Sequence, residues 1–234
     1  MNSAIFWIIQ NLSDVPEEDS WLSEKERETL SRFHVPKRRN DWRLGRWTAK
    51  QAAFGFLRDI SPSRNEAEIM AAEDGAPQLF LPGGSPAPVS ISISHSHGRG
   101  FCALHPERQA VGCDLERIES KQIDFFEDYF TPEEIAFCSR QSERFYPDAC
   151  YLVWCVKETC LKILREGLRR DTRSVQVEAA FPAEAGAWCR WTGHCKITSR
   201  NFQGWWKRDD RFIYALGSDR ANEKPVLLEA SRGA

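Results

Sequence analysis

A chain of 234 residues with 41% apolar and 28% charged residues can bury well over half the surface its unfolded form exposes, which excludes a disordered or coiled-coil protein. Its 32 Lys and Arg against 34 Asp and Glu leave a net charge of −2, too balanced for a protein that coats duplex nucleic acid, so any anion site must be local. No run of about 18 apolar residues occurs, which excludes a membrane-spanning helix.

The apolar start, Ala4 to Ile9, lacks a positive n-region, and Asn11, Asp14 and Glu17 stand where a cleavage site would be wanted, so it reads as a first strand. Ser23 followed by Glu26 has capping-box spacing and opens a helix to Phe33. A second helix is expected from about Asn40 to Asp59, because Trp42, Ala49, Ala53, Phe56 and Leu57 recur at helical spacing. Its other side stacks Arg39, Arg43, Arg46 and Lys50, with Lys37 and Arg38 just ahead. Such a stripe is either a solvated face or an anion site, and its near lack of acids favours the anion.

Turn clusters at Asp74–Pro77 and Leu81–Gly84 flank a short strand. Val89–Ser94 alternates with period two and runs into His95-Ser96-His97-Gly98; Phe101–Leu104 and Ala110–Ile118 follow as strands joined by a hairpin at Pro106-Glu107-Arg108. Thr131-Pro132-Glu133-Glu134 is a helix start. A long helix runs from about Asp148 to Glu166 with Gly167 as its stop, and strands are expected over Gln176–Phe181, Trp188–Ser199 and Arg211–Gly217. Strands plus a long helix in each half give an α+β fold, with residues 1–107 as the first half, 108–220 as the second and 221–234 as a tail.

The eight cysteines contain no Cys-x-x-Cys and fall mostly on apolar sides, as reduced buried thiols of a cytoplasmic protein do. Cys189, His194 and Cys195 lack a fourth ligand for zinc. His97, His105 and His194 have no chemical role in the pattern, and the nine tryptophans are scattered as core residues are.

In Val111-Gly112-Cys113-Asp114-Leu115-Glu116 the alternation sends Asp114 and Glu116 to one face, roughly 7 Å apart, with side-chain-free Gly112 leaving room for something to approach. Alone this is equally an exposed acidic strand. In the long helix Leu152, Val156, Cys160 and Ile163 form the buried stripe, while Trp154, Glu158 and Lys162 share another face; alone the last two are ordinary helix stabilisation. Together, three carboxylates, a lysine and a separate cationic stripe match the needs of phosphoryl transfer: a magnesium held by oxygens and positive groups for phosphate.

Val111–Glu116 and Trp154-Cys155-Val156-Lys157-Glu158-Thr159-Cys160-Leu161-Lys162 resemble the two signature motifs of 4'-phosphopantetheinyl transferases, in the order and spacing of the larger, monomeric surfactin-synthetase-activating type. Lys37 to Lys50, the Asp74-Gly75-Ala76-Pro77 turn and Ser92-Ile93-Ser94-His95-Ser96 are similar to further family motifs. The resemblance implies a pseudo-twofold pair of α+β subdomains with coenzyme A in the cleft between them, and transfer of its phosphopantetheine arm to a serine of an apo carrier protein, releasing adenosine 3',5'-bisphosphate. It implies Asp114, Glu116 and Glu158 as magnesium ligands, Glu158 as the serine's proton acceptor, Lys162 on the pyrophosphate, and Lys37, Arg39, Arg46, Ser94 and His95 on coenzyme A. Ala76 stands where the family turn carries lysine. The aromatic stretch 123–130 is a candidate carrier-docking segment, shared with the core. Competing readings are a carrier-binding module without catalysis and a nucleic-acid-binding domain.

Overall fold

Alternating apolar side chains make Phe6–Asn11 the first strand, β1, with Trp7 and Ile8 buried on its two faces. In this computed structural model, which describes residues 4–57, 63–119, 126, 128–181, 186–220 and 223–230, contacts divide the chain into two units. One runs from the N-terminus to Gln109 and takes in the chain from Pro225 onward; the other is Ala110–Lys224. Both mix helices with antiparallel sheet, the α+β class expected.

In the first unit, Ser23 caps α1 (Glu24–Ser31) with the full capping box. Helix α2 is Pro36–Phe56, so Lys37 and Arg38 lie in its first turn rather than ahead of it. The reason is Pro36 at the first helical position, where a missing N–H costs nothing. Strands β2 (Glu68–Ala71) and β3 (Pro77–Phe80) pair as a hairpin, of which the turn clusters announce only the second strand. Strands β4 (Val89–Ser96) and β5 (Arg99–Pro106) form a second, tight hairpin through His97 and Gly98, both at positive φ, and β5 pairs with β1 on its other edge. Ala49, Ala52 and Ala53 of α2 pack on Ile8, Ile91, Cys102 and Leu104. Small helix residues and Gly100, where an added Cβ would lie 2.3 Å from Thr48 Oγ1, let the helix come close.

In the second unit, β6 (Val111–Arg117) is followed by α3 (Pro132–Ser139), α4 (Tyr146–Leu164), β7 (Val175–Ala179), β8 (Cys189–Cys195), β9 (Arg200–Asp209) and β10 (Phe212–Ser218). The sheet runs β6-β10-β9-β8-β7, every neighbour antiparallel, under α4. The hairpin expected at Pro106–Arg108 does not form: β1 and β4 occupy both edges of β5, so β6 joins the other sheet. Strand β9 is not among the strands expected from sequence; its Phe202, Gly204 and Trp206 are buried in alternation along it. The strand expected over Trp188–Ser199 stops at Cys195 in a turn. Helix α4 ends at Leu164, with Arg165 rather than Gly167 in the left-handed cap, its N–H bonded to Leu161 O and Lys162 O. After Pro225 the chain adds β11 (Val226–Leu227) in parallel beside β1 and buries Leu228 against the α2 core.

All eight cysteines are free thiols, and seven are buried. Among the described residues, no helix is long and apolar enough to cross a membrane.

Candidate active site

Strand β6 faces α4 across an unusually short gap. A Cβ on Gly112 would lie 2.2 Å from Thr159 O, so what the side-chain-free position admits is the helix backbone itself. Thr159 donates from Oγ1 to Cys155 O at 2.8 Å and lies 3.4 Å from Ala215 O, on the residue paired with Asp114 in the sheet. This contact fixes the faces that carry Asp114, Glu158 and Lys162.

Lys162 donates to Asp114 Oδ1 at 2.8 Å and to Cys113 O at 2.9 Å. Burial alone would lower its pKa, but the charges of Asp114 and Glu158 with the Asp114 hydrogen bond raise it above the ordinary value, so it is a fixed cation. Two of its three N–H donors are used in these bonds, leaving one to direct outward. Glu158, half-buried, has its pKa pushed up to about 7 by desolvation first and by Asp114 second, with Lys162 opposing. Its Oε1 is buried without a hydrogen-bond partner. A carboxylate balanced between its two forms near neutrality is suited to taking a proton.

Cys155, fully buried, lies 3.6 Å from Ile213 O; desolvation, then Asp114 and Glu116, hold its thiol well above the usual range. Sequence reasoning gives this residue no role, since a cysteine on a buried helix face reads as core. Glu116 is half-buried, and its charge reaches Cys155 and Tyr151.

The donors available to a cation are oxygens, and Glu158 Oε1 is a buried oxygen with no bond, so the chemistry fits a hard divalent ion such as magnesium. Among the described residues no three His, Cys, Asp or Glu side chains gather closely enough to hold one by themselves. Magnesium commonly uses one or two carboxylates and completes its shell with water and substrate phosphate oxygens.

Four of the six cations on α2 are paired, with three carboxylates between them, which corrects the expectation that the stripe lacks acids. Arg39 and Arg43 share Asp19, at 2.9 and 2.8 Å. Lys50 is wholly buried on Glu26 at 2.6 Å and donates to Trp21 O and Arg64 O. Lys37 lies 3.6 Å from Asp41. These acids lie far back in the chain or one turn along the helix, where a search for alternating acids within the stripe misses them.

What remains is a pocket of about 440 Å³ lined by Phe33, Val35, Lys37, Arg38, Asp41, Trp42 and His95. Arg46 stacks over Trp42, 4.7 Å from the ring centroid, and its Nε is buried without a hydrogen-bond partner. Burial lowers the Arg46 pKa, with Glu26 opposing. The structure thus gathers Lys37, His95 and Arg46 around one place and turns Arg39 away to Asp19. Ser94 alternates with His95 and so projects from the other face of β4. Arg38, given no role from sequence, lines the same pocket; its i,i+4 relation to Trp42 is the available signal. The turn at 74–77 closes with Ala76 N on Asp74 Oδ1 at 3.0 Å and Gly75 at φ 86°. In the aromatic stretch, Phe126 and Phe130 are buried core and Tyr129 packs on Trp154; residues 123–125 and 127 lie outside the described residues.

The geometry thus sets a carboxyl with a raised pKa, Glu158, beside a lysine fixed on a strand aspartate. Residues 110–210 match the family model described as the 4'-phosphopantetheinyl transferase superfamily, a little under half of the chain. No curated protein matches the chain. Among solved structures the chain is similar to a holo-(acyl-carrier-protein) synthase from Bacillus anthracis str. Ames in complex with CoA (3',5'-ADP), at 21% identity over 44% of this chain and 93% of that one, with a TM-score of 0.37. It is similar also to the Thermotoga maritima holo-[acyl-carrier-protein] synthase, at 22% identity over 51% of this chain and 72% of that one, with a TM-score of 0.37.

Proposed function

We propose that the chain transfers the 4'-phosphopantetheine arm of coenzyme A to a serine hydroxyl of an apo carrier protein, as a magnesium-dependent enzyme of the surfactin-synthetase-activating type. The observation that carries this reading is Glu158: a helix carboxylate with a pKa of about 7, an unpartnered buried oxygen, and Asp114 and Lys162 beside it, within a transferase family domain.

The serine oxygen forms a bond to the phosphorus that bears pantetheine, the pyrophosphate P–O bond breaks, and adenosine 3',5'-bisphosphate leaves. Glu158 takes the hydroxyl proton, directly or through one water. Lys162 turns its remaining N–H to the pyrophosphate, where a preorganised ammonium stabilises the charge that develops. Asp114 holds Lys162 in place. Asp114 and Glu158, with Glu116 along the same strand face, would hold magnesium, which supplies charge neutralisation at the phosphate oxygens. Lys37, Arg38, Arg46 and His95 hold the coenzyme's phosphate, and the Trp42 and Phe33 rings give that pocket an apolar wall. Ala76 offers the phosphate no side-chain contact where the family turn carries lysine.

Mass spectrometry of apo carrier proteins incubated with the chain, coenzyme A and magnesium tests this. Gain of one phosphopantetheine mass on the carrier is expected. No gain on acyl, peptidyl or aryl carriers, with coenzyme A left intact, overturns it.

A further inference from the structure

Strand β7 is an edge of its sheet, and only part of that edge is closed. Lys196 N donates to Ser174 O at 2.8 Å and Ala180 N to Arg190 O at 3.3 Å, so Ser174, Gln176, Glu178 and Ala180 turn their backbone groups toward β8. The N–H and C=O of Val175, Val177 and Ala179 therefore point outward. Lys157 Nζ donates to Val175 O, and Val177 N donates to Glu134 Oε1 at 3.0 Å. This ion pair stands where one residue of an added parallel strand would place its own N–H and C=O. The next such place, between Val177 O and Ala179 N–H, holds no hydrogen bond among the described residues.

A cleft of about 250 Å³ lies between α3 and β7. Four successive residues, Gln176 to Ala179, border it although their side chains alternate between faces, so the cleft follows the open edge itself. Phe137 of α3 with Leu152, Val153 and Val156 of α4 gives it an apolar floor. Its charges are ordered along its length. Glu134 meets Val177, and the Phe137 and Phe181 rings lie 6.0 Å apart, so α3 and β7 run in the same direction. Glu133, within electrostatic reach of Lys196, stands at the start with exposed Glu178 on the strand, and exposed Arg140 stands at the far end. From Glu133 to Arg140 the helix rises about 10.5 Å, the length of about three residues of extended chain. Open strand groups beside an apolar floor are what a segment added as a strand requires. In parallel register, a residue bonded to Val177 O and Ala179 N–H shares the face of Glu178, which favours a cation there. The following residue turns to the apolar floor, and two positions later a carboxylate reaches Arg140.

We propose that the open end of β7 binds an extended peptide in parallel orientation, one that carries a basic residue, then an apolar one and, two positions on, an acidic one. The proposal is independent of the transfer reaction. The probe is acetyl-Lys-Leu-Thr-Asp-amide, also with Val or Phe in place of Leu, titrated by calorimetry into the full chain; acetyl-Asp-Leu-Thr-Lys-amide has the same composition with its charges exchanged. Saturable binding of the first is expected, about tenfold or more tighter than of the second. N-methylation of the lysine amide removes the N–H that Val177 O would accept. Ala179→Pro removes the outward N–H from an edge position, where proline is tolerated. Each change should weaken the first probe about tenfold or more. Should the proline variant melt low, the N-methylated probe on the wild-type chain carries the same test. Arg140→Glu should weaken the first probe and tighten the second, and hydrogen exchange at Ala179 N–H should slow when the first probe binds. No saturable binding of any forward probe at about 1 mM overturns the proposal. So does equal binding of the two charge orders or of the N-methylated probe. Self-association of the wild-type chain that Ala179→Pro abolishes, without peptide binding, overturns it too and gives the edge to a second copy.

Discussion

The two units share a buried device that their sequences barely advertise. In the first, Glu26 closes the α1 capping box, its Oε1 accepts from Ile69 N at the β2 edge, and its Oε2 takes Lys50 of α2 at 2.6 Å. In the second, Glu134 closes the α3 capping box, its Oε1 accepts from Val177 N of edge strand β7, and its Oε2 takes Lys157 of α4 at 2.8 Å. Both lysines use their other donors on backbone carbonyls, Trp21 and Arg64 in one case, Thr172 and Val175 in the other. One carboxylate thus ties a short helix, a strand edge and the long helix together. The units diverge at the very next position: Lys50 is followed by Gln51, Lys157 by Glu158. Five residues beyond each lysine stand Gly55, against which the C-terminal segment packs, and Lys162. The shared plan is scaffold; the candidate site residues Glu158 and Lys162 are what the second unit adds to it.

Breaking the shared device should cost most. Lys50→Met and Lys157→Met each strand a buried glutamate, a loss of about 3–5 kcal/mol. At about 2–4 °C per kcal/mol for a chain of this size, each variant should melt on the order of 10 °C lower by calorimetry. If only one of the two does so, the devices are not equivalent. Glu158→Gln gives the second unit the residue type of the first. Turnover should fall about 10²-fold or more, the scale for losing a positioned base, while coenzyme A binding changes by less than about tenfold. Burial raises the Glu158 pKa to about 7, above the 4.5 of a free Glu. The folded state then binds more protons than the unfolded chain between those values, so stability falls as pH rises through that window. The Gln variant escapes this and should melt higher than wild type above about pH 8. A variant equal to wild type in turnover would remove the base.

Much of the site is legible in the sequence because its signals are local. The DxE alternation of β6, the i,i+4 relation of Glu158 to Lys162 and the capping residues Ser23 and Thr131 each lie within one turn or strand. The α2 stripe misleads because its neutralising acids, Asp19 and Glu26, come from chain segments 20 or more residues away. The hairpin expected at Pro106–Arg108 fails for a similar reason, since edge occupancy of β5 is decided by β1. Strand β9 hides because its inward positions include Gly204, whose Cβ would lie 2.0 Å from Leu216 O and 2.6 Å from the Trp191 ring. A glycine made necessary by a neighbouring tryptophan looks, in sequence, like a turn.

A smaller effect sharpens the contrast between Gln51 and Glu158. A carboxyl that holds its proton up to about pH 7 must release it to accept a divalent cation. Magnesium titrations in two buffers of different ionisation heat should show close to one proton released at about pH 6 and almost none at about pH 8.5. Glu158→Gln should abolish the release. Release that persists in the variant would assign the proton elsewhere.

The smallest expected effect compares the two caps. Ser23 Oγ accepts from Glu26 N at 3.2 Å and Thr131 Oγ1 from Glu134 N at 3.4 Å, while the reciprocal bonds from Ser23 N and Thr131 N are 2.9 and 2.8 Å. Alanine removes only the first bond of each box, because the reciprocal one uses the cap residue's backbone. Each substitution should therefore cost about 1 kcal/mol, a few degrees in melting temperature. The Ser23 bond is the shorter, so Ser23→Ala should cost at least as much as Thr131→Ala. Adding Lys50→Met to Ser23→Ala measures whether cap and buried pair act as one unit. If Glu26 is held by both, the double variant should lose less than the two single losses added, since a glutamate already released has no cap left to support. Strict additivity would make the capping box and the buried pair separate features that happen to share a residue.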